Sequence, residues 1–165
     1  MIDTISIDER CLNIRPGYAD LFVAYHAKQL GWPVEFTTRV TRDAVRFLAL
    51  CAIPPAGQEN ISETRVTVSS PIVDKIVDAI FLDSLLLRQL EDNVFGVRLL
   101  HIPYYAHGTT DQAINNAHYD FTIALMRAAH YEIDEDIWPA RLPVGYLTCT
   151  CSNDTKDCQM RAQRG

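Results

Sequence analysis

Residues 71–90 read PIVDKIVDAIFLDSLLLRQL, and no other stretch limits the fold of this chain as strongly. Ser70 followed by Pro71 is a helix start: a hydroxyl N-cap, then a proline whose missing N–H costs nothing in a first turn. Asp74 sits early, where the helix dipole favours an anion. At about 100° per residue, Asp74, Lys75, Asp78, Arg88 and Gln89 share one arc. Ile72, Val73, Ile76, Ile80, Leu87 and Leu90 share the other, with Val77, Phe81 and Leu86 on the flanks. A helix this apolar packs on several sides, so 71–90 is expected as one central helix. Asp83 projects among Ile72, Ile76, Leu87 and Leu90, and a carboxylate there needs partners. A structural tie, capping another helix or gripping a loop N–H, is the reading preferred for it over a catalytic one.

The flanking segments read as helices too. Pro16 and Gly17 precede a helix over 18–30, with Leu21, Phe22, Tyr25 and Leu30 as its inner stripe, and Gly31 stops it. Pro33 opens a second helix to Ala52. Phe36, Val40, Ala44, Phe47, Leu48 and Cys51 repeat on one face, while Arg39, Arg42 and Arg46 form a basic, solvated stripe opposite. Pro54 and Pro55 end it, and 53–69 is a long loop. A fourth helix, capped by Thr109 or Thr110, covers about 111–131 through Ile114, Ala117, Phe121, Leu125 and Ala128. Trp138 plugs the bundle end. The expected architecture is an all-α, single-domain bundle of about four long helices over residues 1–147. Residues 148–165 form a flexible tail holding Cys149, Cys151 and Cys158, whose spacing does not suit zinc.

Composition sets the outer limits. The chain has 165 residues with 48% hydrophobic content, enough for one proper core. A net charge of −6 argues against nucleic acid and anionic membranes as partners. No apolar run is long enough to span a bilayer. The beginning, MIDTISIDERC, is not a signal peptide. Five cysteines without an export signal point to reduced thiols and a cytoplasmic location.

Three segments carry a resemblance: VDKIVDAIFLDS, then VFGVRLLHIPYYAHG, then FTIALMRAAHYEIDEDIWP, preceded by RDAVRFLALCAIPPA. In order and spacing, roughly over residues 30–140, the chain resembles the glycine-rich-domain-containing-protein-like family, as a degenerate member. The family helix reads Val-Asp-x-x-Trp-His-x-His-Ile-Leu-Asp-Thr, followed by Phe-Gly-x-Phe-x-His-His-x-Pro. Here the tryptophan is Val77, the two helix histidines are Asp78 and Ile80, the aspartate persists as Asp83, and the threonine is Ser84. In the histidine pair the first is Leu100 and the second persists as His101. The resemblance therefore leaves Asp78 and His101 where relatives carry histidines. Zinc takes three or four protein ligands, so two positions do not suggest a metal site.

No nucleophile elbow, P-loop, dinucleotide glycine motif or zincin helix is present, and no cofactor is expected. What remains is a cluster at the exit of the central helix. His101, Asp78, Tyr104 and His118 are the catalytic candidates, and Tyr105, His107 and Phe81 the substrate-binding ones. Histidine beside tyrosine and a carboxylate is an acid–base set suited to neutral pH. Asp78 and Asp83 differ by about 140° on a straight helix, so they do not serve one site; Asp78 is the better candidate for chemistry. For His118, on an apolar face, a core role is the preferred reading. The first functional reading is a metal-independent enzyme acting on a small organic metabolite by isomerisation or cyclisation. The alternative is a non-catalytic binding or assembly module with an eroded site, with a homodimer as the expected partner. The third is a metalloprotein using His101 and Asp78.

Overall fold

In a computed structural model, which describes residues 17–52, 67–102, 111–146 and 150–153, the chain is mostly helical and all-α in class. Gly17 and Gly31 frame helix α1, Tyr18–Leu30. Both sit at positive φ, 77° and 68°, a region that costs glycine nothing. Gly31 ends the helix by donating its N–H to Ala27, whose carbonyl also accepts from Trp32 at 2.9 Å. The buried face of α1 is Phe22, Val23 and Ala27. Leu21 and Tyr25, expected inside, are 70% and 58% exposed. The helix is rotated so that Phe22, Val23 and Ala27 are covered while Leu21 and Tyr25 face outward.

Helix α2, Val34–Ala52, is the most completely enclosed element. From Asp43 to Ala52 every residue but Arg46 is buried. Helix α3, Pro71–Leu82, packs along it, with Val73, Ile76, Val77 and Ile80 fully covered. The start of α3 follows its expected chemistry. Ser70 Oγ accepts from the Val73 N–H at 3.2 Å, and Pro71 stands in the first turn. The same hydroxyl donates to the Ile137 carbonyl at 2.6 Å, so the cap also ties the late loop to the core.

The central helix is not one rod. It breaks at Asp83, which ends α3 and caps a short helix α4, Ser84–Leu90. Asp83 Oδ1 accepts from the Leu86 N–H at 3.0 Å, and Oδ2 accepts from the Tyr18 hydroxyl at 2.7 Å. An aspartate that satisfies the N–H of a new first turn competes with helix continuation, and here it prevails. Its structural role is the one expected; the interruption was not. Residues Glu91–Phe95 then widen into a π turn. Glu91, only 4% exposed, accepts from Arg98 at 2.8 Å and from the Leu99 N–H at 2.9 Å. Gly96, at φ 69°, closes the turn onto the Glu91 carbonyl. The π turn thereby fixes where the next element begins.

That element is strand β1, Leu99–Ile102. It pairs antiparallel with β2, Thr150–Asn153, placing His101 opposite Cys151. The tail expected to be free from residue 148 is thus anchored at 150–153. Both strands lie against α2, and the Thr67 hydroxyl donates to the Cys151 carbonyl at 3.0 Å.

Helix α5, Gln112–Ala128, is capped by Asp111, whose carboxylate accepts from Ala113 and Ile114; Thr109 and Thr110, the expected caps, lie outside the described residues. It ends at Ala128 with Ala129 as its C-cap, and His130 follows at φ 60°. Its buried face is Asn115, His118, Tyr119, Thr122, Leu125 and Met126. Ile114, Ala117 and Ala128, expected inside, are exposed. Trp138 is 1% exposed and stacks on Tyr119 at 6.3 Å, a bundle plug as the sequence suggested. The arginine stripe of α2 is partly solvated, with the Arg39 and Arg42 side chains 43% and 38% exposed and Arg46 turned further inward at 14%. Arg39 pairs with Asp134, Arg46 reaches Asp43 at 3.4 Å, and Arg46 also lies over the Tyr131 ring.

Candidate functional site

Asp74 and Asp78 are one turn apart on α3, and Phe81 follows on the next turn. The β1–β2 ribbon brings His101 to this side of the helix. His101 Nε2 lies 2.9 Å from Asp78 Oδ1, and its ring packs against Phe81 with centroids 4.9 Å apart. On the opposite edge of the ring, Nδ1 is 3.3 Å from the sulfur of Cys151. The imidazole is 15% exposed and the Asp78 side chain 53%, so the ring is held inside while the carboxylate reaches solvent.

The carboxylate of Asp78 only accepts, so the proton on the imidazole sits on Nε2 when the ring is neutral. Nδ1 then presents a lone pair to the Cys151 S–H. A proton moving from sulfur to Nδ1 leaves a thiolate beside an imidazolium whose charge Asp78 offsets. The order carboxylate, imidazole, thiol is the order in which an activated nucleophile is built.

Asp74 stands behind Asp78. Ser69 Oγ donates to its Oδ1 at 2.8 Å, and the Tyr146 hydroxyl to its Oδ2 at 3.0 Å. Burial lifts the Asp74 carboxyl above its ordinary range, and the charge of Asp78 pushes the same way. The two hydroxyl donors and His101 pull it back. Asp74 is therefore a supporting group, already committed to two hydrogen bonds.

The structure brings together His101, Asp78 and Phe81 of the residues singled out by sequence. His118 is buried on α5, where its carbonyl accepts from Thr122 at 3.2 Å. The carboxylate, sulfur and ring contacts of His101 come from Asp78, Cys151 and Phe81. Tyr104, Tyr105 and His107 lie outside the described residues. Cys151 was missed because its segment reads as tail. The alternation Thr148-Cys149-Thr150-Cys151, with β-branched residues at every second place, is the strand signal that pointed to it.

Among the described residues no group of three His, Cys, Asp or Glu side chains is arranged to hold a metal ion. The reason is visible in the ring. Asp78 and Cys151 occupy opposite edges of His101, so their donor atoms do not converge on one point. No helix of the described residues is long and apolar enough to cross a membrane. Comparison of the chain with protein-family models, with curated proteins and with solved structures finds no match.

Proposed function

We propose that this chain is a small helical enzyme that acts on a small organic metabolite by acid–base chemistry, with His101 as the proton carrier and Asp78 as the group that orients it. The observation that carries the reading is the 2.9 Å contact from His101 Nε2 to Asp78 Oδ1. It fixes the tautomer of a ring already wedged against Phe81. An imidazole oriented by a carboxylate suits proton transfer in isomerisation or cyclisation. The resemblance to the glycine-rich-domain-containing-protein-like family belongs to this proposal. Under it, a carboxylate has replaced a family histidine at the position that meets the retained one, which favours proton transfer over metal binding. Thiols rather than a disulfide at Cys51 and Cys151 fit a cytoplasmic setting.

The test begins with a ligand-observed NMR screen of neutral small metabolites, followed by turnover assays on the binders. His101→Gln is expected to lower turnover about 10²- to 10⁴-fold with an unchanged circular dichroism spectrum. Turnover equal to wild type in that variant overturns the reading.

A second reading, an assembly module, draws on Leu21 and Tyr25. They are exposed one turn apart on α1. Under it the chain self-associates through that face, and Leu21→Glu dissociates the oligomer. A monomer by light scattering at all accessible concentrations overturns it.

A further inference from the structure

Cys151 has no part in the acid–base reading, yet its sulfur faces the one nitrogen of His101 that Asp78 leaves available. The juxtaposition is built by register. Directly opposed residues of an antiparallel pair hold their side chains on the same face, with Cβ atoms about 4.5–5.5 Å apart. His101 and Cys151 are such a pair, although fifty positions separate them in sequence. The π turn sets the start of β1 through Glu91, and the Thr67 hydroxyl holds the Cys151 carbonyl on the other strand. The pairing is therefore fixed from both sides.

The second described thiol shows what a structural cysteine looks like in this molecule. Cys51 and Cys151 are both buried, at 1% and 4% exposure, so burial does not separate them; the Cys51 sulfur meets the Thr67 hydroxyl at 3.3 Å. That contact offers hydrogen bonding but no base. Cys151 has a base, and the base has a carboxylate.

We propose that Cys151 is the nucleophile of the site and carries an acyl group taken from a neutral or cationic small-molecule ester or thioester. The proposal rests on the acid–base reading and names its substrate class. The cysteine S–H proton passes to His101 Nδ1. The thiolate sulfur attacks the carbonyl carbon, forming a C–S bond. The bond from that carbon to the leaving oxygen or sulfur breaks, and the leaving atom takes the proton from Nδ1. A second nucleophile then attacks the thioester, losing its proton to His101, and the released sulfur recovers one. When that second nucleophile lies on the acyl chain itself, the product is a ring, which joins this step to cyclisation. No oxidant or second sulfur enters the balance. Asp78 stands at the solvent edge with Asp74 behind it, and two carboxyl groups there repel an anionic acyl donor.

The experiment uses the full chain and p-nitrophenyl acetate, a neutral activated ester. Peptide mapping by mass spectrometry is expected to find one acetyl group on Cys151, removable by hydroxylamine at neutral pH as a thioester is. His101→Gln is expected to slow that acetylation about 10²-fold or more, and Cys151→Ser to abolish the thioester adduct. Acetyl groups on lysines alone, or equal acetylation of Cys151 in wild type and His101→Gln, overturns the proposal. Should Cys151→Ser fail to fold, iodoacetamide on wild type decides. Cys151 is expected to alkylate at least about tenfold faster than Cys51, and equal rates overturn the proposal. The two levels separate cleanly. Turnover that needs His101 without any acylation of Cys151 removes the nucleophile and keeps the acid–base reading. Turnover that survives His101→Gln removes both.

Discussion

Asp43 and Asp78 are both aspartates on helices, each close to a basic side chain, and they do opposite things. Asp43 is fully buried on α2. Trp138 Nε1 donates to its Oδ2 at 2.9 Å, while Arg46 and Arg42 lie 3.4 and 3.6 Å from Oδ1. Burial raises its pKa, and the indole and the two guanidinium groups oppose that rise. Its Oδ2 joins α2 to the loop that carries Trp138, while Oδ1 is held beside two arginines of its own helix. Among the described residues Asp78 has one hydrogen-bonding partner, His101, and its side chain is 53% exposed. A carboxylate surrounded by donors is an anchor, whereas one that holds a single imidazole from the solvent side is free to take part in chemistry.

The largest test of this contrast is Asp43→Ala. It leaves the buried Trp138 N–H without its acceptor and removes the carboxylate from between two arginines. Breaking a buried charged pair from one side costs about 3–5 kcal/mol. Urea denaturation is expected to show a loss of that size, with near-ultraviolet circular dichroism reporting a changed tryptophan environment. A loss below about 1 kcal/mol would mean that Asp43 is not an anchor.

Asp83→Ala comes next. It removes the acceptor for Leu86 N–H and the partner of the Tyr18 hydroxyl. Loss of such a cap costs about 0.5–2 kcal/mol. Asp83→Asn keeps a side-chain acceptor and is expected to lose less. If Asp83→Ala were neutral in stability but damaging to turnover, the division between the structural and the chemical aspartate would fail.

Asp74 tests the contrast through pH. Burial, aided by Asp78, raises its pKa above the ordinary 3.8. The folded state thus binds this proton more tightly than the unfolded chain does. The stabilising contribution is full below 3.8 and is lost as pH rises through the higher folded value. Denaturation at a series of acid pH values is the measurement. The stability of wild type relative to Asp74→Asn is expected to fall with rising pH across that window and then level off. A difference that grows with pH reverses the sign and removes Asp74 from the buried support of the site.

Local chemistry explains what was legible. Gly17, Gly31, Ser70 and Pro71 each act within one helical turn, and α1, α2 and the start of α3 lie where those residues place them. The faces of α1 and α5 were misjudged because periodicity orders residues around a helix without saying which neighbours it meets. On α5 the core side carries Asn115, His118 and Thr122, three polar residues whose burial depends on tertiary partners. Thr122 is one such case, its hydroxyl accepting the Val68 N–H at 2.9 Å. The interruption at Asp83 escaped for a related reason. Its apolar surroundings read as one continuous stripe, while the outcome turned on a single carboxylate choosing the Leu86 N–H. Asp78 and His101 were readable as candidates from their chemistry and their positions in the family pattern. Cys151 was not, since it joins them through a strand register spanning fifty positions.

Asp78→Asn is expected to have the smallest effect on stability and is the sharpest test. Pairs involving solvent-exposed carboxylates contribute about 0–1 kcal/mol, so the denaturation midpoint should scarcely move. The amide can present its oxygen to Nε2–H and preserve the ring position, but it carries no charge to offset an imidazolium. Turnover should therefore fall while the fold and the His101 contact persist. Asp43→Ala has the opposite signature, with stability lost and the turnover of the folded fraction kept. If Asp78→Asn instead lowers stability by several kcal/mol and leaves turnover unchanged, Asp78 is an anchor like Asp43, and the carboxylate–imidazole pair is part of the scaffold.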